Sequence, residues 1–182
     1  MKSSENRIHV FGIGGMGCST LMHFHRQNID AKFTCITYRD QHSFAPDIAY
    51  FEFTPPGTTF WNIKGVKTER ANWDQQSMLT DEIKRLFQDD CHYVLLSGLG
   101  DPTGAYLTLE LTHWLTEEGK KFDAICSLPF TFESPGRTHA EQTLPKLQVF
   151  SNVRSLDVSG IQKQFPNLML DKALKMVEDR LF

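Results

Sequence analysis

The segment Leu96-Ser97-Gly98-Leu99-Gly100-Asp101-Pro102-Thr103-Gly104 has residue types and a spacing that point to one chemistry, the cradling of phosphate. It follows an apolar run, His92-Tyr93-Val94-Leu95-Leu96, that reads as a buried strand, and it precedes residues 105–118, which read as a helix. A Gly-rich turn between strand and helix holds phosphate through free backbone N–H groups and the positive end of the helix dipole. Two residues oppose that use here. Pro102 has no N–H to donate, and Asp101 brings a carboxylate to the place an anion would take. Losing one donor to a charged phosphate costs about 1.5–3 kcal/mol. An uncompensated carboxylate costs a similar amount unless a cation bridges the two groups. Together they weaken binding by a factor on the order of 10²–10⁴. A metal bridging Asp101 to the phosphates is the one way round the penalty.

A second Gly-rich turn, Gly12-Ile13-Gly14-Gly15-Met16-Gly17, follows a strand at residues 8–13 and opens a helix. That context is the one in which a dinucleotide fingerprint is meaningful, and it makes Gly14, Gly15 and Gly17 candidate contacts. Glycines serve equally where a strand turns sharply into a close-packed helix. Asp40 ends the next strand region and suits a ribose or metal contact, or a turn. Glu133, with Arg137 four residues on, is placed to reach a ligand over the carboxyl ends of a sheet, or to form a surface ion pair of little worth. The histidines offer no metal site, because His23 and His25 point to different sides of a helix and the others are isolated. No serine sits in a nucleophile elbow.

Positioning these residues requires alternating strands and helices. Strands are expected at 8–13, 33–38, 50–53, 92–96, 122–128 and 147–150, with a further segment at 59–63 that forms either a hairpin with 50–53 or a second edge. Helices are expected at about 18–27, 74–88, 107–115, 139–147 and 168–182. The alternation implies an α/β fold, a Rossmann-like three-layer sandwich with a mostly parallel sheet covered on both faces.

The 182 residues suffice for one domain with a full core. A net charge of -3 without basic clusters gives nucleic acid and anionic membranes no electrostatic footprint. No apolar run approaches the roughly 20 residues that span a bilayer. The polar start, Met1-Lys2-Ser3-Ser4-Glu5-Asn6-Arg7, shows no signal peptide. Cys18, Cys35, Cys91 and Cys126 are scattered, and reduced thiols in a cytoplasmic protein are expected.

In order, these segments resemble the nucleotide-binding domain of the FtsZ/tubulin family. Residues 8–17 look like the first strand and Gly-rich loop of FtsZ, with Met16 and Cys18 in place of glycines and Ser19 where FtsZ has asparagine. Of Thr37-Tyr38-Arg39-Asp40 only Asp40 matches the end of the second strand, and Arg70-Ala71-Asn72 falls where the γ-phosphate-sensing loop ends in Ala-Asn. Gly98 to Tyr106 overlies the tubulin signature GMGGGTGTG. Pro129-Phe130-Thr131-Phe132-Glu133 is close to an FtsZ segment, followed by Arg137 at the matching offset and by Ala140-Glu141-Gln142. Asn152 stands where FtsZ contacts guanine or ribose, and Leu170-Asp171 begins what looks like its long central helix.

The resemblance implies that a guanine nucleotide, GTP or GDP, would be met by Gly14, Gly15, Gly17, Ser19, Asp40, Asn72, Gly100, Asp101, Thr103, Gly104, Glu133, Arg137 and Asn152. Departures from the family pattern point elsewhere. Asp101 and Pro102 replace central glycines of the signature, and Ala173 and Val177 replace a stacking phenylalanine and a base-reading polar residue. The chain ends at Phe182, before the family's catalytic loop and second domain. One reading is therefore a single domain that binds protein, itself or an FtsZ/tubulin-like partner, without catalysis and without a required cofactor. A second is a GTP- or GDP-binding protein with weak or partner-dependent GTPase activity. A third is a Rossmann-type dinucleotide binder, since residues 8–15 also look like the opening of Mur ligases, although Gly98 and Pro129 have no place in it.

Overall fold

The computed structural model describes residues 7–38, 44–53, 77–133 and 135–160. Among the described residues six strands form one sheet: β1 (Ile8–Ile13), β2 (Lys32–Thr37), β3 (Ile48–Glu52), β4 (His92–Gly98), β5 (Phe122–Leu128) and β6 (Val153–Asp157). Their spatial order is β3-β2-β1-β4-β5-β6, and every pairing is parallel. The apolar runs explain this. β1 and β2 each bury every residue after their first, as strands covered on both faces must. β1 is central, so Ile13 lies beside Ile36 on one side and Ser97 on the other.

Helix α1 (Gly14–His25) covers one face, packing Cys18 and Leu21 onto Val10, Phe33, Cys35 and Leu96. The other face carries α2 (Asp81–Arg85), a π-helical turn (Thr103–Leu107) that runs directly into α3 (Thr108–Glu117), and α4 (Gly136–Leu147). Its core is aromatic: Phe11 stacks on Phe87 with ring centroids 4.2 Å apart, and Tyr93 meets Phe87 edge-on at 5.1 Å. The result is a helix–sheet–helix sandwich, the architecture expected from the alternating pattern. All four cysteines are free thiols, three of them buried.

Several boundaries differ from the sequence expectation. α1 starts at Gly14 and not near residue 18, because Gly14 takes φ +72° and turns the chain from strand to helix in a single residue. β3 pairs in parallel with β2, and its hairpin candidate at 59–63 lies outside the described residues. The 74–88 helix is helical over Asp81–Arg85 among the described residues, with Thr80 Oγ1 accepting the Ile83 amide as its cap. The expected strand at 147–150 is the end of α4 and a turn, and the strand is Val153–Asp157. The 168–182 helix lies outside the described residues.

The sheet order creates the site. The chain winds outward from β1 through β2 to β3, then returns to β4 on the other side of β1. The crevice beyond the carboxyl ends of β1 and β4 is therefore the topological switch point, where open parallel sheets bind ligands.

Candidate functional site

Two helix starts converge at that switch point. α1 begins where β1 ends, and the loop after β4 delivers Asp101 and Pro102 to the start of the helix that continues as α3. Close backbone packing sets the approach. A methyl group on Gly17 would fall 2.2 Å from the Leu96 carbonyl oxygen, and one on Gly104 would fall 2.0 Å from the Gly98 carbonyl oxygen. Neither position accepts a side chain without the backbone moving.

Asp101 caps the second helix. Its Oδ1 accepts the Gly104 amide at 2.8 Å, and its carbonyl accepts the Ala105 amide at 2.9 Å. Pro102 follows with helical angles, φ -60° and ψ -40°, so the missing N–H is one that a first helical turn leaves unpaired anyway. Burial pushes the Asp101 carboxyl up to about 6, while hydrogen bonds from the Gly104 and Thr103 amides pull the other way.

Beside it opens a cleft of about 580 Å³, lined by Gly98, Gly100, Asp101, Ser127 and Glu133 together with apolar Met16, Leu128, Phe130, Phe132 and Val158. Phe132 is 60% exposed and stacks on Phe130 at 5.2 Å. Glu133 turns back to accept the Phe130 amide at 2.9 Å. Among the described residues, no lysine or arginine lines this cleft.

Of the residues singled out from sequence, Gly100, Asp101 and Glu133 line the cleft, Thr103 and Gly104 give their amides to Asp101, and Gly14 packs against its carboxylate. Gly15 is exposed, with open space where a side chain would go. Gly17 lies between α1 and β4 as a packing contact, and Ser19, on α1, is not among the cleft-lining residues. Asp40 and Asn72 lie outside the described residues.

Arg137 and Asn152 do not join the cleft. The Arg137 guanidinium binds Asp157 through Nη1 at 2.7 Å and Nη2 at 2.8 Å, Glu141 through Nε at 2.8 Å, and the Pro129 carbonyl at 2.9 Å. Arg137 thus forms ion pairs, with Asp157 and Glu141 and not with Glu133. Asn152 precedes β6, so it sits at the amino ends of the strands and donates Nδ2 to the Phe122 carbonyl at 2.7 Å. The nucleotide contact that the resemblance implies for Asn152 is replaced here by this bond to the β5 backbone. Asp157, Val158 and Ser159 stand at the carboxyl end of β6, and Ser159 Oγ accepts the Thr131 amide at 3.0 Å. The alternation in Val153-Arg154-Ser155-Leu156-Asp157 is the signal that marks this strand.

Among the described residues, the Gly104 amide is already bonded to the Asp101 carboxylate, and no lysine or arginine of the cleft lining offers a cation.

No protein-family model and no curated protein matches this sequence. Solved structures do. The empty FtsZ dimer of M. jannaschii superposes with a TM-score of 0.67 at 21% identity, over 97% of this chain and 52% of that one. GDP-bound monomeric CetZ1 from Haloferax volcanii gives 0.65 at 14% identity, over 96% and 57%. TubZ of Bacillus thuringiensis serovar israelensis, in GDP-form protofilaments, gives 0.60 at 15% identity, over 98% and 56%. The chain thus spans about half the length of each of these structures. The parallel sheet, the paired helix starts at its switch point and these superpositions agree: this chain has the FtsZ/tubulin-like GTPase-domain fold.

Proposed function

We propose that this chain is a non-catalytic module of FtsZ/tubulin-like fold that works by binding protein, either a second copy or a partner of the same fold, and so modulates assembly. The observation that carries the reading is the Asp101 carboxylate on the Gly104 amide, in a cleft with no basic residue among the described ones that line it. A triphosphate brought there meets a negative charge and occupied donors. Solved structures of this fold include an FtsZ dimer and TubZ protofilaments, which supports contact between copies as the use that remains. The exposed Phe132 at the cleft rim is an apolar side chain available to such a contact.

Two measurements test the proposal. Titration with a fluorescent GTP analogue at micromolar concentration is expected to show no saturable signal. Sedimentation velocity is expected to show association, of the chain alone or mixed with an FtsZ-fold protein. Saturable nucleotide binding by a chain that stays monomeric in both settings overturns the reading.

A second reading keeps a guanine nucleotide. It is favoured by the meeting of Gly14, Gly100, Thr103, Gly104 and Glu133 at the switch point, and CetZ1 of the same fold is GDP-bound. Saturable binding abolished by Thr103→Ala would select it.

A further inference from the structure

We propose that the Asp101 carboxylate is a built-in substitute for a bound phosphate, holding the two helix starts at the switch point together so that the fold needs no anion there. The inference deepens the reading of the cleft given above and rests on it.

An ordinary helix cap touches only its own helix. Asp101 does more. A methyl group on Gly14, the first residue of α1, would fall 2.8 Å from Asp101 Oδ2 and 3.0 Å from Oδ1, so the carboxylate fills the space beside that glycine. The same Oδ2 lies 3.3 Å from where a methyl on Gly104 would project. One carboxylate is therefore packed against the starts of both helices. α1 has no side-chain cap of its own and no acidic residue in its first turn. Each helix start carries the positive end of a dipole, and two such ends placed together favour an electronegative group between them. In this chain that group, an Asp101 oxygen, is covalently attached. Pro102 belongs to the same arrangement: its fixed φ starts the helix and aims the preceding side chain at the third helical amide.

The test uses the full chain in magnesium-free inorganic pyrophosphate, with thermal unfolding as the readout. Wild type is expected to show no concentration-dependent change. Asp101→Gly, which empties the cradle, is expected to melt lower than wild type and to gain about 3–6 °C at tenfold saturation with pyrophosphate. Asp101→Asn keeps an oxygen for the Gly104 amide, and is expected to fold and ignore pyrophosphate.

An Asp101→Gly protein that melts lower but does not respond to pyrophosphate would show a purely local cap and overturn the inference. A wild type that responds as strongly as Asp101→Gly would overturn it too. If Asp101→Gly does not fold unaided, refolding on dilution into pyrophosphate supports the inference, and failure in both buffers while Asp101→Asn folds overturns it. Saturable GTP-analogue binding by wild type sinks the proposed function, whereas an inert Asp101→Gly sinks only this inference.

Discussion

Arg137 grips Asp157 through two parallel hydrogen bonds of 2.7 and 2.8 Å, joining the start of α4 to the end of the edge strand β6. The same guanidinium holds the Pro129 carbonyl, so one side chain links three segments around the cleft rim. The contact with Arg137 holds Asp157 down at about 2. Asp157 is nearly half exposed, so solvent screens the pair and its worth is about 1 kcal/mol or less. A depressed carboxylate stabilises above its unfolded pKa and stops doing so as pH falls through its folded one. Arg137→Ala and Asp157→Asn are each expected to lower the urea midpoint slightly at pH 7. Their effects should be non-additive in the double variant and should disappear as pH falls from about 4 toward 2.

Asp101 and His9 pull stability in opposite directions across one pH window. Burial raises Asp101 to about 6, so its charged form weakens the folded state above that pH, and the penalty vanishes below about 4. Burial lowers His9 to about 4, with its Nε2 against Thr34 Oγ1 at 2.8 Å. Its stabilising contribution is complete above about 6.5 and is lost as pH falls through 4. Two units at Asp101 correspond to at most about 3 kcal/mol. Asp101→Asn is therefore expected to be more stable than wild type at pH 7.5 and to converge on it at pH 4. In that background the remaining loss on acidification between pH 6.5 and 4 belongs chiefly to His9 and should be removed by His9→Gln, whatever the variant costs at neutral pH. Chemical denaturation across pH 4–8 checks both slopes.

The sheet was legible because its strands are apolar runs bounded by turns, and β1, β4 and β5 fall where periodicity puts them. The cleft was legible where chemistry is local, as at Asp101 beside Gly104. It failed where a role depends on distant partners. For Arg137 the sequence offers ligand contact or an ion pair, and it does not reveal the partner Asp157, 20 positions away in β6. The contact expected of Asn152 rests on the resemblance alone, and the structure shows it before β6, bonded to the Phe122 carbonyl. Asp101-Pro102 departs from a phosphate loop, and Asp followed by Pro is at the same time a helix-start signal, the local role the structure shows.

Glu110 is a carboxylate whose partners no local pattern would reveal. From the first turn of α3 it accepts the Met78 amide at 2.9 Å, the Leu79 amide at 3.0 Å and the Ser77 hydroxyl. These bonds pin the segment that carries Met78, which is fully buried in the main core. Glu110→Ala leaves two backbone amides without their acceptor and is expected to cost about 2–3 kcal/mol. Amide hydrogen exchange should show faster exchange at Met78 and Leu79 with β1 and β4 still protected, whereas uniform acceleration would mean that the segment unfolds only with the whole domain.

The glycines at the switch point separate packing from ligand contact, and a substitution series reads the difference. Gly17 and Gly104 face backbone carbonyls at distances no Cβ atom adopts, so alanine at either must push a helix off the sheet. Each substitution is expected to cost about 2–3 kcal/mol or more. Gly15 lies on the exposed side of α1 with nothing near its would-be Cβ, and alanine there should be neutral or stabilise by about 0.5–1 kcal/mol through helix propensity. A Gly15→Ala protein as unstable as Gly17→Ala would refute the packing argument. Urea midpoints for the three variants decide the order. Should Gly15→Ala instead leave stability intact and abolish association in sedimentation, this open glycine would mark a face of the protein contact.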